Sequence, residues 1–152
     1  MDAASSQEFA VLAPLLISLA PIVVTIVIHA VALGATIKFI RREYEGGRAG
    51  VRFWRDVAIV AGVILLALIA HLADISVWAV LYEEYREFTS FGSAFYSSAM
   101  IYTTLGGVNL SASWKLLAPL EAGNALLMFG VSTATIFAVM QQLFQTRTKT
   151  DT

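Results

Sequence analysis

The sequence predicts an all-α membrane protein: three transmembrane helices, with a short re-entrant helix and loop between the second and the third. Three observations predict it. Hydrophobic residues make up 58% of the 152 residues and charged residues only 14%, against roughly 45–50% and about 25% in soluble domains. The charges are segregated, which leaves three long runs almost free of them. A fourth apolar run is too short to cross a bilayer and is followed by a glycine pair, Gly106-Gly107. The same composition excludes other classes. So apolar a chain is not disordered. With no cysteine there is no disulfide framework, thiolate metal site or thiol nucleophile. A net charge of −1 gives no electrostatic footprint for nucleic acid. His29 and His71 are the only histidines, which is little material for a metal cluster.

The first run, residues 9–37, has 29 residues without Asp, Glu, Lys or Arg. About 20 apolar residues suffice to cross a bilayer. The run is too long for a signal peptide and its leader, residues 1–8, has no basic residue, so it reads as a span. Pro14 and Pro21 either kink this helix or mark its start. The second run, residues 57–82, holds one charge, Asp74, and the third, residues 116–144, one charge, Glu121. Basic residues set the orientation. Lys38, Arg41, Arg42, Arg48, Arg52 and Arg55 lie between spans one and two, and Arg147 and Lys149 follow span three. The expected topology is an N-terminus outside, a cytoplasmic first loop and a cytoplasmic C-terminus, in the cell (plasma) membrane among its lipids. Trp54 falls near the inner boundary and Trp78, Tyr82, Tyr85 and Trp114 near the outer one, where aromatic belts belong.

Between spans two and three, Glu83, Glu84, Arg86 and Glu87 make a short charged loop. Residues 91–103 then form an apolar run of a length that reads as re-entrant or interfacial. Thr89 or Ser90 can cap its start, and Gly106 and Gly107 follow where a helix would stop. Non-helical backbone at membrane depth is tolerated only inside protein or beside a watery path. A half-helix entering from outside points its negative dipole end at the membrane middle, and carbonyls beyond it can replace a cation's water shell.

Tyr102-Thr-Thr-Leu-Gly106, preceded by Phe91-x-x-Ala-Phe-Tyr-x-Ser98, resembles the pore helix and filter of the potassium-channel superfamily. The stretch from Leu116 to Thr133 resembles the inner helix of its small bacterial two-helix members, and His71-Leu-Ala-Asp-Ile-x-x-Trp78-Ala resembles their outer helix. The likeness covers about residues 60–145. It implies a pore domain over residues 57–145, preceded by an added span and basic loop (1–56) and followed by a short tail (146–152). It also implies a homotetramer around a central path for a monovalent cation, potassium and/or sodium, with no other cofactor and no catalysis. The filter would comprise Thr103, Thr104, Leu105, Gly106, Gly107, Val108 and Asn109. In the family pattern Thr-x-Gly-Tyr-Gly-Asp, Thr104, Leu105 and Gly106 match. Without a gap, Gly107 replaces the Tyr, Val108 the second Gly and Asn109 the Asp. A one-residue gap instead aligns Gly107 with the second glycine and deletes the Tyr. A β-branched Val resists positive φ, so weak or altered potassium selectivity is expected.

Charges within a span are costly and mark function. Asp74 and Glu121 are expected to brace the filter by bonding hydroxyls such as Ser97, Ser98, Thr103 or Thr104, Glu121 being otherwise exposed near the interface. His71 shares a helix face with Asp74 and is either a third support or a structural contact. By family likeness Gly130 falls at a gating hinge; otherwise it and Gly123 serve close helix packing. Two other readings stand beside the channel. One is a non-conducting pore-like subunit or scaffold. The other is a haem-binding or catalytic membrane protein using His29, His71, Asp74 and Glu121. It is disfavoured by depth, since His29 is nine residues from Lys38 and His71 is 16 from Arg55.

Overall fold

Charge-poor runs become helices because only a helix satisfies its own backbone where water is absent. The computed structural model describes residues 3–46 and 52–150 as four helices: α1 (Ala3–Glu45), α2 (Phe53–Glu84), α3 (Phe91–Tyr102) and α4 (Leu117–Thr150). Arg48 lies outside the described residues, as do residues 1, 2, 151 and 152. α1, α2 and α4 are each long and apolar enough to cross a membrane, as a multi-pass membrane protein requires. Only 22%, 33% and 28% of their most apolar windows are buried, so most of that apolar surface needs a lipid or protein cover.

The faces of α1 are patterned inside out relative to a soluble protein. Along α1 the buried positions are Pro14, Ser18, Pro21, Thr25, His29, Thr36 and Ile40, a stripe in steps of three, four or seven residues. Ser18, Thr25, His29 and Thr36 make it mostly polar, while Leu16 and Val31 on other faces are each 67% exposed. Without a hydrophobic drive between helices in lipid, small and polar residues take the interfaces. Pro14 and Pro21 both lie within α1, which begins upstream of them at Ala3, so they do not mark its start.

The chain divides into two compact units. The first, residues 3–27 and 72–128, has a core of Trp78, Ala79, Tyr82, Ala94, Ile101 and Leu117. Trp78 and Tyr82 are fully buried there and not on a lipid-facing belt. They follow Asp74 at four-residue steps, so α2 turns all three toward α3 and α4. Tyr85 and Trp114 do pair, with ring centroids 4.4 Å apart. α2 ends in a Schellman turn: Arg86, at φ 57°, donates to the Glu83 carbonyl (2.9 Å), and Glu87 donates to that of Tyr82 (3.0 Å). Ser90 caps α3, its hydroxyl accepting from the Ser93 amide at 3.3 Å.

The second unit, residues 28–46, 52–71 and 129–150, packs Ile40, Ile59, Val63, Val139 and Leu143. Arg55 reaches Glu43 at 3.6 Å and links the start of α2 to the end of α1. His29 and His71, expected at different depths, meet here with ring centroids 4.9 Å apart. Lys38 and Arg55, the nearest charged residues, stand at unequal distances from the two rings but do not mark the helix ends. The helices run on past those charges: His29 is 16 residues from the end of α1 and His71 is 18 from the start of α2, which are matched heights.

Candidate functional site

Glu121, one turn into α4 and fully buried, ties three helices together. Its Oε2 accepts from the Tyr82 hydroxyl of α2 and its Oε1 from the Ser98 hydroxyl of α3, both at 2.5 Å. Ser98 also lies 3.0 Å from the Ile75 carbonyl of α2; its single proton serves one acceptor at a time. Asp74 of α2 makes a second tie, its Oδ2 accepting from the Tyr102 hydroxyl at the end of α3 (2.8 Å). Both carboxylates therefore grip the short helix from opposite neighbours in sequence. A buried carboxylate stripped of one such hydroxyl would cost about 1–3 kcal/mol. A further buried pair, Thr25 with Asn124, joins α1 to α4, the amide donating to the hydroxyl at 2.9 Å.

Beyond α3 the chain caps itself before it reaches the glycines. Thr104 adopts φ 60° and donates to the Ile101 carbonyl at 2.9 Å, and Leu105 donates to that of Met100 at 3.0 Å. This is a Schellman turn with threonine at the left-handed position that glycine ordinarily takes. A β-branched residue there stores about 1–3 kcal/mol of strain. Gly106 and Gly107 continue at φ 71° and 80°. Val108 does not have positive φ and packs half-buried against the core of the first unit. Thr103 turns its hydroxyl back to the Ala99 carbonyl (2.6 Å). Residues 103–107 and Asn109 are exposed, Leu105 by 73%. Glu87 clips the returning loop, accepting from the Ser111 amide (2.7 Å) and hydroxyl (2.6 Å).

Gly130 and Gly123 sit in an unbroken α4, with nothing within 4 Å of where a Cβ would stand. Thr135 bonds back to the Val131 carbonyl at 2.8 Å, and Ser132 is buried. The ring contacts of His71 are with His29 and with Phe129, at 4.5 Å between centroids for the latter. A haem iron held between two axial imidazoles needs two collinear bonds of about 2 Å each, which with the ring radii separates centroids by more than about 6 Å. The 4.9 Å between His29 and His71 does not admit it.

Tyr82 and Tyr102 were not foreseen as carboxylate partners, nor Thr25 with Asn124. The signal was present: Asp74, Trp78 and Tyr82 form an i, i+4, i+8 line on α2, and Glu121 and Asn124 are one turn apart on α4. No protein family, curated protein or solved structure matches the chain.

Proposed function

We propose that the chain is the subunit of a homotetrameric cation channel of potassium-channel architecture. In this reading α3 is a re-entrant pore helix, residues 103–109 line the ion path, and α1 is an added span. The observation that carries it is the pair of buried carboxylates, Asp74 and Glu121, committed to holding one short helix. That helix delivers an exposed Thr-Thr-Leu-Gly-Gly segment with three residues at positive φ. Exposure of Leu105 in the single chain fits burial against further copies around an axis. The permeant ion is monovalent, potassium and/or sodium, with weak selectivity because the filter lacks the aromatic of the family pattern and, without a gap, its second glycine. Lysine and arginine placement puts the N-terminus outside and the C-terminus in the cytoplasm.

The test is flux of potassium and sodium in proteoliposomes holding the full chain. Cation flux with shallow selectivity is expected. Gly106→Ala should abolish it, since Gly106 sits at φ 71° with open space for a Cβ, so backbone strain alone is introduced. Flux unchanged by this substitution would remove residues 103–109 from the path. The absence of native cysteine permits single-cysteine labelling. Phe88→Cys and Ala112→Cys should react from the same side of the membrane, and opposite sides would rule out re-entry.

A non-conducting pore-like subunit is the second reading, favoured by the Thr104 turn. Just before it the Thr103 hydroxyl, within the segment assigned to the path, is spent on the Ala99 carbonyl. Tetramers that carry no flux would select it.

A further inference from the structure

In the second unit α1 and α4 leave a groove of about 720 Å³ between them. Ile37 and Ile40 form one wall and Ala134 and Ala138 the other. The two alanines, one turn apart, are what leave the space. Arg41 and Tyr44 stand together at one end, three residues apart and therefore on one face of α1. The groove runs from Leu33 to Tyr44 along α1, about 16 Å at 1.5 Å per residue. That is the depth of one leaflet, half of a hydrocarbon core about 30 Å thick.

The Tyr44 ring packs on the core of this unit, while its hydroxyl is buried without a hydrogen-bond partner among the described residues. A buried donor left unmet is uncommon and calls for an acceptor. Arg41 pairs with Glu45 at 3.3 Å, both side chains being largely exposed. Such a surface pair holds an arginine only weakly, leaving the guanidinium able to bind a phosphate through two parallel bonds. Lys38, Arg42, Arg52 and Arg55 outnumber Glu43, Glu45 and Asp56 around the same end of the spans.

We propose that this groove binds one anionic phospholipid. Its phosphate accepts from the Arg41 guanidinium and, once the side chains over it part, from the Tyr44 hydroxyl, which is closed off in this structure, and one acyl chain lies along Ile37, Ala134 and Ala138. The proposal is independent of ion conduction and its assay reads binding alone.

The full chain in mild detergent is titrated with dioleoylphosphatidylglycerol or dioleoylphosphatidylcholine, and bound lipid is counted by native mass spectrometry. Wild type is expected to bind the anionic lipid about tenfold tighter than the zwitterionic one, as a charge-assisted bond allows. Arg41→Gln should collapse that preference. Tyr44→Phe should weaken both lipids about three- to tenfold, and Ala138→Phe should exclude both by filling the groove. Equal binding of the two lipids by wild type would overturn the proposal, as would undiminished binding by Ala138→Phe. So would a change of assembled mass in Ala138→Phe with lipid binding intact, which would put a second copy in the groove. Should Ala138→Phe fail to fold, Arg41→Gln at an exposed site and the one-atom change Tyr44→Phe decide alone: lipid binding unaltered in both overturns it.

Discussion

Replacing Glu121 by Ala removes the acceptor of two interhelical hydrogen bonds at once and leaves a void where the carboxylate stood. Counted as ordinary interhelical bonds in lipid, at about 0.6 kcal/mol each and at most about 1.7, the loss is about 1–3 kcal/mol. Counted as two hydrogen bonds to a buried carboxylate, at about 1.5–3 kcal/mol each, it is about 3–6 kcal/mol. Full burial of Glu121, with one hydroxyl on each carboxylate oxygen, favours the upper range. Glu121→Gln keeps the shape and one acceptor, and should cost no more than about 1.5 kcal/mol. The assay is equilibrium unfolding of the full chain in one detergent. A double-mutant cycle between Tyr82→Phe and Glu121→Ala should give a coupling of at least about 0.5 kcal/mol. If Glu121→Ala unfolds within about 0.5 kcal/mol of wild type, or the cycle shows no coupling, Glu121 does not hold α2, α3 and α4 together and the bracing argument fails.

Tyr102→Phe deletes the donor to Asp74 and should cost about 1–3 kcal/mol, read as a lowered unfolding midpoint. Thr104→Gly removes left-handed strain and should raise the thermal midpoint by about 2 °C; a lowered midpoint would mean that the Thr104 side chain contributes more than its strain removes. Thr25→Val strands Asn124 and should cost about 0.6–1.7 kcal/mol. The double variant Thr25→Val/Asn124→Leu should recover most of that, because two apolar partners leave nothing unmet.

The three spans were legible because charge is expensive in lipid and therefore scarce there. α3 was legible from its length and its serine cap. What hydropathy does not report is which face of an apolar helix turns inward. Trp78 and Tyr82 accordingly read as belt residues near a boundary, while they are core. The carboxylates drew attention to serine and threonine hydroxyls, and Ser98 is one partner, but two phenols supply the others. Counting from charges also misjudged the histidines, since arginines and lysines on a helix end do not end the helix. The left-handed Thr104 was beyond sequence reasoning: the glycines two and three residues on are the stronger stop signal, and the turn closes before them.

Burial differences among the tryptophans give the protein its own optical probes. Trp78 has no accessible surface while Trp54 is 79% exposed, so a soluble or lipid-borne quencher should extinguish Trp54 emission and spare the blue-shifted component from Trp78. Loosening of the Asp74–Trp78–Tyr82 face would then appear as a red shift and new quenching, so that damage to the carboxylate ties can be followed without any attached dye.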